Sequence, residues 1–234
     1  MQLVVFDVDG TLTRTHAVDH VCFLAALRED AGLALDDVDW NGFSNVTNHG
    51  VVDELWQRLR GASPTASEFA LVEGGFVARL AAEWERDPAR FAPIAGAPRA
   101  FERARELGAV AIATGGWRKS ACFKLARIGV DANATPAGFS EDGPARETIV
   151  ERAIERARRA HGVERFERVV SVGDATWDVR AAARMRLPFV GIGRGGRAEK
   201  LAAAGAELVL GDYADLAAFE RALQEARVPV PRAD

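Results

Sequence analysis

The chain has 234 residues, 48% hydrophobic and 27% charged, with a formal net charge of -4. Its lysines and arginines are scattered among acids rather than massed in a stripe, which excludes a nucleic-acid-binding surface and leaves small molecules as the expected partners. No stretch reaches the roughly 18 apolar residues of a membrane span, and the start shows no basic segment followed by an apolar one, so a cytoplasmic location is expected, with the chain a monomer or homodimer.

In chain order, a buried strand is expected over 3–6, ending on Asp7 and Asp9. Amphipathic helical stretches follow over 18–27, 51–59 and 67–85, with no convincing strand among them. Hinge-like punctuation flanks this stretch at Thr13-Arg14-Thr15 and from Asp87-Pro88 to Ala97-Pro98. Apolar runs then recur over 109–113, 169–172, 189–192 and 208–210, alternating with helical patterns over 98–107, 119–128, 147–160, 177–185, 198–204 and 215–226. The alternation predicts an α/β fold: a doubly wound, Rossmann-like parallel sheet formed by 1–13 and 94–234, with a helical unit over 14–93 inserted after the first strand. Cys22 and Cys122 show neither disulfide nor metal-ligand spacing and are expected as reduced core residues. Val228-Pro229-Val230-Pro231 cannot continue a helix and is expected to trail into solvent.

Ligands of an open parallel sheet bind at the carboxyl ends of its strands, where Asp7 and Asp9 must lie. Thr114-Gly115-Gly116 and Gly173-Asp174-Ala175-Thr176-Trp177-Asp178 fall at equivalent points after later strands. One pocket would then collect Asp7, Asp9, Asp174 and Asp178. Four carboxylates together call for a cation, and an all-oxygen site suits Mg²⁺, whose open positions suit water and a substrate phosphate.

Asp7-Val8-Asp9-Gly10-Thr11, Thr114, an upstream cation and Gly173-Asp174 with Asp178 resemble the four ordered motifs of the haloacid dehalogenase superfamily. The helical insert is similar to the cap of its phosphoglycolate-phosphatase-like members. The resemblance implies that the first Asp attacks phosphorus, the second serves as acid and base, and the late acids hold Mg²⁺.

The residues suit those roles chemically. A metal-assisted carboxylate at Asp7 can form an acyl phosphate, and Asp9 can protonate the leaving oxygen and later accept a proton from water. Gly10 permits the sharp turn after them. Thr114, with the amides of Gly115 and Gly116, would bind phosphoryl oxygens. The family's usual lysine before the last motif is missing. Arg146 occupies that region and is the first candidate for the phosphate-binding cation, with Lys124 the second.

In the insert, Asn45-Val46-Thr47-Asn48-His49-Gly50 is expected as a polar loop with Asn48 and His49 aimed at substrate, helix capping by Asn48 being the alternative. His16 and His20 lack a third ligand and are expected on a helix surface. Trp117 and Arg118 are candidates for the pocket entrance. The activity that follows is Mg²⁺-dependent hydrolysis of a small phosphorylated metabolite through an aspartyl phosphate. A phosphosugar mutase and a non-catalytic phospho-acceptor remain as alternatives. Haloacid dehalogenation is disfavoured by the acid at Asp9.

Overall fold

The computed structural model describes residues 1–35 and 38–230. Six parallel strands lie in the order β3-β2-β1-β4-β5-β6: β1 (Gln2–Phe6), β2 (Ala109–Ala113), β3 (Ala137–Gly138), β4 (Arg168–Gly173), β5 (Phe189–Ile192) and β6 (Val209–Leu210). The sheet is the doubly wound, Rossmann-like one expected, and β1 lies at its centre, with Phe6 level with Ile112 of β2 and Val172 of β4. Both faces are covered, which is why most positions of these strands are apolar rather than alternating with polar ones. Val4 and Phe6 pack with Phe101 of α4 (Ala97–Leu107) and Phe219 of α9 (Leu216–Glu225). Leu3 and Val5 face Ile149 and Ala153 of α6 (Arg146–His161). α5 (Arg118–Ala126) follows β2, α7 (Thr176–Arg184) follows β4, and α8 (Gly196–Ala203) follows β5.

The stretch over 14–93 contains α1 (His16–Ala25), α2 (Asn48–Arg60) and α3 (Ala66–Arg86). Val72, Phe76 and Leu80 recur at four-residue spacing on α3 and pack with Phe23 of α1 and Val52 and Trp56 of α2 in a second apolar cluster. Trp117 from the sheet side joins that cluster, so the two cores meet beside α5.

Three expectations are corrected. β3 has only two residues and no apolar run, so periodicity misses it; a Cβ at Gly138 would collide with the carbonyl of Ile149, and α6 can approach only because that position is glycine. The tail does not leave into solvent after α9: Phe189 N donates to Arg227 O at 3.0 Å and Pro229 is buried, while Pro231 lies outside the described residues. Cys22 is buried and free, but Cys122 is only partly buried.

Candidate active site

Asp7 follows β1, and its backbone N–H donates to Val172 O at 3.0 Å, which extends the β1–β4 ladder by one step. Asp174 follows β4, and Asp178 lies one turn into α7 on the same side. The sharp exit from β1 uses Gly10 at φ +86°, where a Cβ would also fall on the Asp174 carboxylate. Asp7, Asp174 and Asp178 are all buried and can each offer a carboxylate oxygen within 4.8 Å of the others.

Arg146 opens α6 and binds this group from below. Its Nη2 donates to Asp7 Oδ1 at 2.7 Å, and Nε and Nη2 donate to Asp178 Oδ1 at 2.8 and 2.5 Å. Thr11 Oγ1 donates to Asp7 Oδ2 at 3.0 Å, Ala175 N to Asp178 Oδ2 at 3.2 Å, and Arg197 of α8 pairs with Asp174. Burial pushes the Asp7 carboxyl up to about 7, with Arg146 opposing and Asp178 and Asp9 reinforcing the rise. Asp174 is raised well above the ordinary range by burial and by the charges of Asp7 and Asp178, against Arg197. For Arg146 burial disfavours the charge, but Asp178 and Asp7 outweigh it and hold the guanidinium ionised. Three buried oxygen donors that repel one another this strongly fit a hard divalent cation.

Asp9 stands apart from these three carboxylates. Both of its oxygens accept hydrogen bonds: Lys124 Nζ donates to Oδ1 at 2.7 Å and Oδ2 at 2.6 Å, and Thr15 Oγ1 donates to Oδ1 at 2.5 Å. Lys124, on α5 and fully buried, also donates to Asp19 Oδ1 at 2.5 Å. Burial would lower the Lys124 ammonium, but Asp19 and Asp9 more than reverse this. Asp19 is pushed up to about 6 by burial and by Asp9, with Lys124 opposing. The two candidate cations therefore serve different carboxylates: Arg146 those of Asp7 and Asp178, Lys124 those of Asp9 and Asp19.

Asp7, Asp9, Thr114, Gly115, Gly116, Arg146 and Asp174 line a cavity of about 450 Å³. Thr114 is buried, and its Oγ1 accepts from Gly116 N at 3.1 Å, a short turn that leaves Trp117 as the residue preceding α5. Asn48 N donates to Gly115 O at 2.7 Å and Thr47 Oγ1 to Pro144 O at 2.9 Å, which docks the insert on the turns carrying Thr114 and Arg146. A Cβ at Gly115 would press on Arg146 Nη1 and Val46 O, so this docking needs glycine. Val46, Thr47 and Asn48 line the cavity. The capping residue of α2 is Thr47, whose Oγ1 accepts from Gly50 N at 3.0 Å, and Asn48 is already helical.

Other expectations shift. His49 is absent from the cavity wall and stacks on Phe69, centroids 3.9 Å apart. His16, exposed at the start of α1, and the partly buried His20 both line the cavity, and His20 Nδ1 accepts from Trp40 Nε1 at 2.8 Å. Trp117 is buried against Phe23 and Phe76, and Arg118 lies over the Phe139 ring, so neither forms the entrance. Asp19 and Arg197 escaped the sequence reading. Asp19 looks like an ordinary acid in a first helical turn, and Arg197 is one of many arginines. Lys124 did leave a trace, lying beside Ala121 and Leu125 on the buried side of α5.

A family model for haloacid dehalogenase-like hydrolases matches residues 1–186. No curated protein matches the chain. A hydrolase from Pseudomonas syringae superposes with a TM-score of 0.68 at 23% identity, over 93% of this chain and 96% of that one. A putative beta-phosphoglucomutase from Bacteroides vulgatus gives 0.66 at 16% identity, over 96% and 91%. CbbY from Rhodobacter sphaeroides in complex with phosphate gives 0.64 at 20% identity, over 93% and 98%. Ordered motifs, a 3-2-1-4-5-6 sheet and the family match agree: the chain belongs to the haloacid dehalogenase-like hydrolases.

Proposed function

We propose that the protein is a cytoplasmic phosphatase that hydrolyses a small phosphate monoester, with Mg²⁺, through a phosphorylated Asp7. The observation that carries this reading is the buried group in which Arg146 bridges Asp7 and Asp178 beside Asp174, at the strand ends and at the floor of a cavity. Asp7, Asp174 and Asp178 would hold the divalent cation, which when bound would shield the charge gathered by carboxylates and phosphoryl oxygens.

The chain's own residues account for the remaining chemistry. An Asp7 oxygen attacks phosphorus and the P–O bond to the leaving group breaks, while Asp9 supplies the proton that the departing oxygen needs. Water then attacks the phosphorus of the acyl phosphate, giving its proton to Asp9 and returning Asp7 as a carboxylate. Thr114 and the amides of Gly115 and Gly116 bind the phosphoryl oxygens, and Arg146 holds Asp7 in line for attack. The segment over 14–93 acts as a cap on a core of 1–13 and 94–234. Asn48 meets the substrate near its phosphate, and Phe23 and Trp40 form an aromatic wall for the organic part.

The test is release of free phosphate from a panel of phosphorylated metabolites by purified protein with Mg²⁺. Sugar phosphates head the panel because a CbbY of this fold was crystallised with xylulose-(1,5)bisphosphate. Turnover of at least one ester that stops with chelator is expected. No phosphate release from any ester would overturn the reading, and conversion of a sugar phosphate to its isomer would replace it with the mutase.

A further inference from the structure

Lys124 is the least accessible charged residue near the cavity. Its side chain is fully buried, yet both neighbours of its ammonium, Asp9 and Asp19, line the cavity. An ammonium has three donors, and all three are used: two on the oxygens of Asp9 and one on Asp19. Asp9, Asp19 and Lys124 come from three places, the turn after β1, the first turn of α1 and the last turn of α5. Thr15 completes the set at Asp9 Oδ1 and itself bonds Thr13 Oγ1 at 2.5 Å. A carboxylate at the end of a two-torsion side chain, beside a cavity of this size, would otherwise have several rotamers to sample. Burying an ammonium is costly, so a lysine retained here needs both anions around it.

We infer that Lys124 is a positioning residue for Asp9, fixing the orientation of its carboxylate toward the leaving oxygen, and that Asp19 is the second anion that anchors the lysine. This rests on the phosphatase reading. A proton is delivered only from within hydrogen-bond reach of the departing oxygen, so an Asp9 free to rotate harms esters in proportion to their need for that proton. An alkyl phosphate needs it, whereas a nitrophenyl phosphate, whose leaving group is a stable anion, does not.

The experiment measures kcat/KM for one alkyl and one nitrophenyl phosphate with wild type, Lys124→Met, Lys124→Arg, Asp19→Asn and the pair Lys124→Met with Asp19→Asn, together with their melting temperatures. The pair removes one charge of each sign and serves if Lys124→Met alone does not fold. For Lys124→Met or the pair, the alkyl ester should lose about 10 to 100-fold and the nitrophenyl ester less than about 3-fold, the difference being a large part of a general acid's usual contribution. Lys124→Arg should recover much of the alkyl activity, and Asp19→Asn should show a smaller selective loss. Equal losses on both esters, or none, in folded variants would overturn the role of Lys124. An unchanged ester ratio in Asp19→Asn would remove Asp19 from it. Wild type inactive on every ester would instead bring down the phosphatase reading itself.

Discussion

Two buried cations, Arg146 and Lys124, each tie together two carboxylates at the same end of the sheet, but they join different parts of the molecule. Arg146 sits wholly within the α/β part, between the ends of β1 and β4, and its planar guanidinium reaches Asp7 and Asp178 through two nitrogens. Lys124 joins the α/β part to the insert, reaching Asp19 on α1 as a compact point charge. The first network surrounds the oxygens that would hold metal and attack phosphorus, and the second surrounds the acid that would serve the leaving group. Both carboxylates held by Arg146 thus belong to the α/β part, whereas Asp19, the second partner of Lys124, belongs to the stretch over 14–93.

The difference is broken hardest at Asp7. Asp7→Asn should lower kcat by roughly 10⁴-fold or more on every ester, since an amide cannot attack phosphorus and residues acting as a unit fail together; an activity assay on folded variant checks this. Arg146→Met should come next, with a loss of roughly 10² to 10³-fold on alkyl and nitrophenyl esters alike, on the scale of a removed oxyanion partner. That uniform loss contrasts with the ester-selective loss expected at Lys124. In chelator Arg146→Met should also melt earlier, because it leaves Asp7 and Asp178 buried without their shared cation, a defect of about 3 to 5 kcal/mol for broken buried pairs.

Metal removal sharpens the contrast from the other direction. The metal-free Asp7 carboxyl is raised to about 7 from 3.8. A raised acid contributes stability in its neutral form, present in full below the unfolded value and lost as pH rises through the folded one. Asp174 shifts in the same direction. Chelator-treated protein should therefore melt at a lower temperature near pH 8 than near pH 6, and Mg²⁺ should raise the Tm more at the higher pH, by about 2 to 4 °C per kcal/mol of stabilisation in a chain of this size. Thermal melts at the two pH values with and without Mg²⁺ measure it.

The smallest effects separate neighbours in the insert. Asn48→Ala should lower kcat/KM for the preferred ester by about 10-fold relative to a small generic ester, the scale of one lost hydrogen bond. His49→Ala should leave the ester ratio unchanged and cost only about 0.5 to 1.5 kcal/mol of stability from its stacking on Phe69. The check is kcat/KM substrate by substrate, with a melt for each variant.

The sheet and its principal motifs were legible because apolar runs, glycines and acids fall next to one another in the chain: Phe6 before Asp7, and Val172 and Gly173 before Asp174. The two-residue β3 was not, since its place is set by pairing with β2 and by the approach of α6. Within the site, spacing along one segment could place Asp178 one turn beyond Asp174, but it could not show that Asp9 turns from its neighbour Asp7 toward a lysine 115 positions away. Nor could it show that Asn48 and His49, adjacent on α2, diverge to the cavity and to α3. Asp19 and Arg197 acquire meaning only from tertiary contact, because acids in first helical turns and scattered arginines are common on any surface.

The most direct measurement is the stereochemical course at phosphorus, using a hydrolysed ester whose phosphorus is made chiral with oxygen isotopes. Attack by Asp7 followed by attack of water inverts the centre twice, so net retention is the expected result. Net inversion would mean that water attacks the ester in one step, and would contradict a phosphorylated Asp7 at the end of β1.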